Sequence, residues 1–314
     1  MRRAAALLAV LAAIGLHAGH ARAEGVALTF DDLPQLSLTN ATGYGAVTTR
    51  RLLAGLRRRH IPATGFVVGS KLDGPDRKAR VALLRAWLKA GERLGNHTYD
   101  HESLNSTPLD AYIASVQHDD EVIRPILAAR HQRPVWFRHP YLETGPTMEI
   151  KQGFETWLTQ HGYRVAPVTL ENSDWIFALP YDEAVLQGDR AEAGRIRQAY
   201  VDYTARCVTW YRQAALELLG RRPDLVFLLH GSRINADSIG DLAAILKRNH
   251  LKPVSLDRAM RDPAYAIPDD RPDQAGDEWL SRWSELLNKP LPWASFPPPP
   301  ADIETADKRL DPEP

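Results

Sequence analysis

The stretch "LTFDDLP", Leu28 to Pro34, decides how the rest of the sequence is interpreted. An apolar run typical of a buried strand ends in two adjacent carboxylates, Asp31 and Asp32. Because neighbouring side chains on an extended strand point to opposite sides, the two aspartates are expected to meet different partners. A turn or a helix N-cap is the ordinary explanation for such a pair. A functional role requires matching polar residues at the ends of the other strands.

Short apolar runs alternate with amphipathic stretches of helical period along most of the chain. Runs such as "GVALTF", "ATGFVVG", "PVWF" and "DLVFLL" are typical of strands, and each precedes a predicted helix. Repeated strand-then-helix units predict an α/β fold with a parallel sheet that closes into a barrel or a barrel-like shape. A long helical stretch at about 181–219 is interpreted as an insertion or an elaborated crossover, with a plain packing helix as the alternative.

Both ends of the chain differ in composition from its middle. Residues 1–23 combine two arginines, a short apolar run and Ala21-Arg22-Ala23, which predicts a signal peptide cleaved before Glu24. The mature chain is then exported to the periplasm or the extracellular space, without a transmembrane segment; a retained anchor is the alternative. Residues 24–268 hold the strand and helix units. Proline and charge dominate 269–314, which predicts a draping or disordered tail with little to bury, although "DEWLSRWSELL" can dock as one helix.

Charge and cysteine content exclude several classes of function. Lys plus Arg and Asp plus Glu each number 39, so the chain lacks the basic surface expected for nucleic acid or anionic lipid. The single cysteine, Cys207, cannot form an internal disulfide. A neutral glycan or a small molecule fits this composition at least as well as a charged partner.

A second polar cluster, "GNHTYDHES", places His97 and His101 four residues apart. On a helical turn both imidazoles would face one side and bind one metal ion, although surface or capping histidines share this spacing. An aspartate from "FDD" can complete a three-ligand site with an open position for water. The other aspartate then remains free as a general base, and Asp100 can accept a hydrogen bond from a ligand imidazole.

Three further strands end in residues suited to catalysis. Arg138 in "WFRHPYLETG" can hold the basic aspartate ionised, and Asp174 and Trp175 in "ENSDWIF" offer a carboxylate and an apolar wall. His230 in "VFLLHG" can donate a proton to a leaving group. Five polar clusters, each at the end of a predicted strand, indicate a single site.

Taken together, these clusters resemble the polysaccharide deacetylase family, also known as carbohydrate esterase family four, whose shared unit is the NodB homology domain. The resemblance covers roughly residues 25–260 and implies a distorted or incomplete (β/α) barrel. The matching motif positions are Thr29, Phe30, Asp31, Asp32, His97, Thr98, His101, Arg138, Pro140, Tyr141, Glu171, Asp174, Trp175, Leu228 and His230.

The resemblance implies a role for each group of positions. Asp31 would be the general base, His230 the general acid, and Arg138 the cation that steadies the base. The implied metal ligands are Asp32, His97 and His101. The Tyr141 backbone N–H would stabilise the oxyanion, Asp174 would belong to the catalytic set, and the implied substrate-binding residues are Pro140, Trp175 and Leu228.

Some positions depart from the family pattern. Glu171 stands where the family usually has aspartate, Leu142 where glycine is frequent, and His139 and Gly231 are also unusual. The sequence does not decide whether Glu171 or Asp174 orients His230.

The implied activity is metal-dependent removal of N-acetyl groups from N-acetylglucosamine units of chitin oligomers, peptidoglycan or an exopolysaccharide. Zinc suits the nitrogen and oxygen ligands, with cobalt and manganese as alternatives. The rival functions are an O-acetyl esterase acting on a xylan-like glycan and a catalytically silent carbohydrate-binding protein. The sequence leaves the glycan and the oligomeric state open.

Overall fold

The computed structural model describes residues 24–272 and 275–311. The predicted signal peptide, residues 1–23, lies outside this range. The strands of the described residues are β1 (Gly25–Leu36), β2 (Ala63–Val67), β3 (Arg93–Asn96), β4 (Trp136–Phe137), β5 (Arg164–Val165), β6 (Leu225–Ser232) and β7 (Lys252–Pro253). They pair in parallel in the order β5-β4-β3-β2-β1-β6, and β7 pairs with the start of β1.

Helices follow most strands of the sheet. The α-helices of the described residues are α1 (Thr42–Arg59), α2 (Arg77–Ala90), α3 (Leu109–Ala128), α4 (Met148–Gln160), α5 (Asp174–Gln187), α6 (Arg190–Leu219), α7 (Arg233–Arg248), α8 (Leu256–Ala259), α9 (Trp279–Leu286) and α10 (Ala301–Leu310). Short 3₁₀ turns occur at Gly69–Leu72 and Pro140–Leu142, both on the edge of the sheet that carries the strand ends. Across 24–272 and 275–311, every helix is too short or too polar to span a membrane.

The sheet is curled and closes only in part. Its two edges are β5 and β6, and a single parallel bridge between Leu170 and Phe227 joins the segment after β5 to β6. Thr169 and Leu170 both donate to the Val226 carbonyl, at 3.0 and 3.1 Å, so few hydrogen bonds complete the circle. The predicted distorted or incomplete (β/α) barrel is confirmed.

Local sequence signals explain several element boundaries. Gly91 ends α2 with φ 94°, a left-handed conformation that glycine adopts without steric cost. Thr147 caps α4 by accepting a hydrogen bond from the Ile150 N–H at 3.3 Å. The first strand, β1, is buried along Gly25–Pro34, as expected for a parallel strand covered on both faces.

The long helical stretch predicted at 181–219 is divided in two. Gly188, with φ 74°, separates α5 from α6. Helix α5 already begins at Asp174, so it carries the carboxylate of the "ENSDWIF" cluster at its first turn.

The structure contradicts the expectation that the C-terminal segment has little to bury, and it agrees with the docking of "DEWLSRWSELL" as one helix. Trp279 and Trp283 lie on one face of α9, and Trp283 is 1% exposed. Ile303 in α10 is fully buried, although it belongs to the polar stretch "DIETADKRLDPEP". A few apolar residues at helical spacing are enough to bury one face of a short helix against an existing core.

Candidate active site

The polar clusters of the sequence meet at the C-terminal ends of the strands. Asp31 in β1 lies beside His230 in the neighbouring strand β6, where the two residues are register partners. His97 follows β3, and the Arg138 N–H after β4 donates to the Asn96 carbonyl of β3 at 3.0 Å. The parallel topology therefore collects residues that lie far apart in the sequence into one site.

The two adjacent aspartates face the same site, so the expectation of opposite sides is wrong. Asp32 has φ 66°, and the pairing of β1 with both neighbouring strands shifts register around this point. A bulge of this kind turns a side chain away from the alternation of a regular strand. His97 Nε2 lies 3.8 Å from Asp31 Oδ2 and 3.8 Å from Asp32 Oδ1. The two carboxylates nevertheless have different closest partners.

Asp32, His97 and His101 form a group that can hold a metal ion, with one ligand atom from each residue and all three atoms within 4.8 Å of one another. His101 Nε2 lies 3.4 Å from Asp32 Oδ1. The histidines come together through an irregular loop and not through the predicted helical turn. Thr98 and His101 adopt positive φ angles of 64° and 59°, which fold the loop back on itself.

The hydrogen bonding of this group suits a cation. His97 Nδ1 donates to the Arg138 carbonyl at 2.8 Å, which leaves the Nε2 lone pair directed at the aspartates. The sequence suggested Asp100 as the acceptor of this hydrogen bond, but Asp100 is exposed and the Arg138 carbonyl accepts it instead. Asp32 Oδ1 is buried and has no hydrogen-bond partner among the described residues. Burial lowers the pKa of both imidazoles, so neutral nitrogen ligands face an ionised carboxylate.

Lys71 contacts the candidate site, and the sequence analysis did not identify it. Its Nζ lies 2.9 Å from Asp32 Oδ2, the oxygen that faces away from the histidines. Burial raises the pKa of Asp32, but Lys71 and the nearby histidines outweigh it and hold that pKa well below its ordinary value. Lys71 lies just after β2. A lysine close to the C-terminal end of a parallel strand was the feature of the sequence that could have indicated its place in the site.

Arg138 is the closest cation to Asp31. The Arg138 side chain is fully buried, and its Nε lies 3.8 Å from Asp31 Oδ2. Its Nη2 donates to Thr29 Oγ1 at 2.9 Å, which helps to hold the guanidinium near Asp31. Burial raises the pKa of Asp31 to about 6, and Arg138 and His230 limit that rise.

His230 is oriented by Asp174 and not by Glu171. His230 Nδ1 and its backbone N–H both donate to the Asp174 carboxylate, each at 2.8 Å. Glu171 instead accepts from the Ser173 N–H at 3.1 Å and the Tyr211 hydroxyl at 3.4 Å. Burial lowers the pKa of His230, but Asp174 more than compensates and raises it to about 9. His230 therefore carries a proton at neutral pH.

Two exposed aromatic side chains flank the site. Tyr141 is 53% exposed and Trp175 is 47% exposed, whereas Pro140 is buried. The Tyr141 ring packs edge-on against His101, with ring centroids 4.6 Å apart. Leu228 is partly exposed two residues before His230, and therefore on the same side of β6.

The Tyr141 N–H is available to a ligand. The next two residues, Leu142 and Glu143, donate their N–H groups to the carbonyls of His139 and Pro140 at 3.1 Å each. Among the residues that the structure describes, the Tyr141 N–H has no acceptor. A backbone donor in this state can stabilise a developing oxyanion.

Comparison with known proteins agrees with this architecture. Residues 18–166 match the family model described as "Polysaccharide deacetylase". Just under half of the chain therefore resembles the polysaccharide deacetylase family. The matched part contains Asp31, the three candidate metal ligands and Arg138, whereas Asp174 and His230 lie beyond it and are brought to the same site by the fold.

Individual members of the polysaccharide deacetylase family show how far the similarity extends. Chitin deacetylase from Colletotrichum lindemuthianum is 27% identical over 150 residues, 48% of this chain and 52% of that protein. The peptidoglycan-N-acetylmuramic acid deacetylase PdaC from Bacillus subtilis (strain 168) is 29% identical over 117 residues, 37% of this chain and 21% of that protein. The chain thus spans about half the length of the first relative and less of the second.

A solved structure supports the fold. The polysaccharide deacetylase Bc1974 from Bacillus cereus superposes with a TM-score of 0.52 at 20% identity, covering 74% of this chain and 91% of that one.

Proposed function

We propose that this protein is a metal-dependent deacetylase that removes N-acetyl groups from N-acetylglucosamine units of a glycan. The observation that carries the proposal is the pairing of Asp31 with His230 across β1 and β6, beside a group of three metal-ligating side chains. A carboxylate suited to accept a proton and a protonated imidazole suited to give one thus share one site.

Asp32, His97 and His101 would hold the cation, and zinc is proposed because their oxygen and nitrogen donors are typical of catalytic zinc sites. When bound, a divalent cation supplies a Lewis acid that acidifies water and polarises a carbonyl group. Lys71 holds the second oxygen of Asp32, which leaves Oδ1 directed at the histidines.

The catalytic steps follow from the positions of the protein groups. Asp31 accepts a proton from water as the water oxygen attacks the acetyl carbonyl carbon, and Arg138 keeps Asp31 ionised beforehand. The Tyr141 N–H donates to the oxyanion that develops. His230 gives its proton to the amine nitrogen as the C–N bond breaks, and Asp174 stabilises the charged imidazole until then. The products are acetate and a free amino sugar.

His230 and Asp174, which we name the acid pair, favour an amide substrate over an ester. An amine leaves poorly without a proton, and His230 is held protonated at neutral pH by Asp174. Both relatives described above are named as deacetylases of N-acetylated glycans, chitin in one case and peptidoglycan in the other. The exposed rings of Tyr141 and Trp175 offer apolar surfaces on which a sugar ring can stack.

We also propose that the protein is exported and that residues 24–268 hold its catalytic residues. The composition of residues 1–23 supports export. Every residue assigned to the site lies between β1 and the start of α7.

The proposal is tested by measuring acetate release by the mature chain, residues 24–314, from N-acetylglucosamine oligomers, peptidoglycan and acetylated xylan. Each substrate is assayed with chelator, with added zinc, and with Asp31→Asn. We expect zinc-dependent release from an N-acetylated glycan that Asp31→Asn reduces to the background.

His230→Ala discriminates between the two kinds of acetyl group. We expect it to slow amide hydrolysis far more than hydrolysis of an activated ester, because only the amine requires protonation. Release confined to acetylated xylan would favour the O-acetyl esterase. No release from any glycan by the zinc-loaded chain would favour a silent binding protein.

A further inference from the structure

The loop that carries the Tyr141 N–H has an unfavourable backbone conformation. Tyr141 and Leu142 have φ angles of 55° and 59°, so two successive non-glycine residues are left-handed. For L-residues with bulky side chains this region is sterically disfavoured. Such a conformation persists only where surrounding structure enforces it.

Arg282 in α9 contacts this loop directly. Its Nη2 donates to the Leu142 carbonyl at 3.1 Å, and its Nη1 donates to Thr144 Oγ1 at 3.0 Å. The side chain is only 6% exposed. A guanidinium offers its donors in a rigid planar fork, so the two contacts fix both the position and the orientation of the loop.

Arg282 is itself held in place from two sides. Its Nε donates to the Asp277 carbonyl at 2.9 Å, and Nη1 lies 3.2 Å from Asp269 Oδ2. Lys151, whose side chain is fully buried, lies 2.5 Å from the same Asp269 oxygen. The Trp279 N–H at the start of α9 donates to the Val168 carbonyl at 2.7 Å, which ties the helix to the segment after β5.

Gly276 makes a second close approach to the loop. It has φ 72°, and a Cβ atom at this position would overlap the Tyr141 carbonyl oxygen. A residue without a side chain is required here because the chain passes directly against the Tyr141 backbone.

We propose that Asp269, Gly276 and Arg282, which we name the C-terminal clamp, position the Tyr141 N–H for its contact with the oxyanion. This inference rests on the function proposed above. Arg282 is a positioning residue, since it touches the loop and not the substrate. The clamp lies outside the part of the chain that matches the family model, and it assigns a catalytic purpose to a segment that composition describes as a tail.

The test compares Arg282→Met with Arg271→Met. Arg271 is a matched control because it lies in the same segment, is 45% exposed and pairs with Glu285 on α9. We expect Arg282→Met to lower kcat by about 10- to 100-fold, the cost of displacing one donor, while KM changes much less. Amide and ester substrates should be affected alike, unlike the effect of His230→Ala, and zinc should bind with unchanged stoichiometry.

Hydrogen exchange gives a readout that does not depend on turnover. In Arg282→Met, a peptide covering 139–145 should exchange faster than in Arg271→Met, whereas a peptide covering 93–101 should not change. Arg282→Lys, which keeps the charge without the fork, should restore part of kcat. If Arg282→Met does not fold, Gly276→Ala and Arg282→Lys provide the same comparison.

Equal kcat in Arg282→Met and Arg271→Met would overturn the clamp while leaving the proposed function intact. A loss of bound zinc or a large fall in melting temperature in every clamp variant would assign these residues to folding alone and would also overturn it. Inactivity of the unsubstituted, zinc-loaded chain on all glycans would overturn the proposed function and the clamp together.

Discussion

The backbone conformation at Asp32 lets Asp31 and Asp32 face one site and still contact different cations. The left-handed φ of Asp32 brings both carboxylates to one side, where Arg138 approaches the first and Lys71 approaches the second. A regular strand would have sent one of them to the opposite face. The sequence identifies these residues as candidates, but no glycine marks the left-handed turn, so their convergence becomes visible only in the fold.

The protonation of His230 leads to a prediction about alkaline pH. We expect kcat on an N-acetylated oligomer to fall as the pH rises through about 9, because His230 then loses the proton that the leaving amine needs. Asp174→Asn removes the carboxylate that raises the pKa of His230, so burial dominates and the alkaline limb should move to lower pH. Profiles of kcat against pH for both proteins check this. An unchanged limb in Asp174→Asn would show that another group controls it.

The three-ligand group leads to a prediction about zinc and thermal stability. Zinc at a hundredfold excess over Kd should raise the free energy of unfolding by about 2.7 kcal/mol and the melting temperature by about 5 °C, because it binds only the folded chain. His101→Ala removes one ligand and should abolish most of this shift. His161→Ala, at an exposed histidine after α4, should retain it. Calorimetry of each variant with and without zinc makes the comparison, and an equal shift in both would place zinc elsewhere.

At the scale of elements, α6 supports the acid pair through buried hydrogen bonds. The Tyr200 hydroxyl donates to Asn235 Oδ1 at 2.5 Å, and Asn235 Nδ2 donates to Asp174 Oδ2 at 2.5 Å and to the His230 carbonyl at 2.9 Å. The helix interpreted from sequence as an insertion thus reaches the site through Asn235.

Tyr200→Phe tests this support. The substitution leaves Asn235 Oδ1 without a donor, so we expect the free energy of unfolding to fall by about 1–3 kcal/mol and kcat to fall as well. Tyr112→Phe is the matched control, because Tyr112 is equally buried but its hydroxyl has no hydrogen-bond partner within the described part of the chain. Urea denaturation and kcat measurements on both variants make the comparison. A Tyr200→Phe variant as stable and active as the control would exclude α6 from any part in catalysis.

Elements could be predicted where the helical period is clear, as in α4 (Met148–Gln160), which is the helix predicted to follow the strand "PVWF". The H-x-x-x-H pair shows the limit of this reasoning. Its spacing suggested a helical turn, but Thr98 and His101 are left-handed and the segment is a loop. The structure nevertheless brings Asp32, His97 and His101 together, since a short loop after a strand keeps both histidines near the strand end in either geometry.

At the scale of the whole molecule, the C-terminal segment completes the core. Composition alone predicts a tail because proline and charge dominate this segment, and only "DEWLSRWSELL" carries the apolar spacing of a helix that can dock. In the fold, five of its apolar side chains join the main hydrophobic cluster: Trp279, Leu280, Trp283, Leu291 and Ile303. The proposed boundary at residue 268 therefore encloses the proposed catalytic residues without enclosing the whole core.

A chain ending at residue 268 should consequently fail to fold. Full burial of a large apolar side chain contributes about 1.5–3 kcal/mol, so five of them contribute on the order of 10 kcal/mol. That sum is comparable to the whole free energy of unfolding of a typical domain, about 5–15 kcal/mol. We expect residues 24–268 to bind a hydrophobic dye and to lack the cooperative thermal transition of residues 24–314. A cooperative transition at a similar temperature would instead show that the segment packs on a core that is already stable without it, and its remaining contribution would be the contact of Arg282 with the Tyr141 loop.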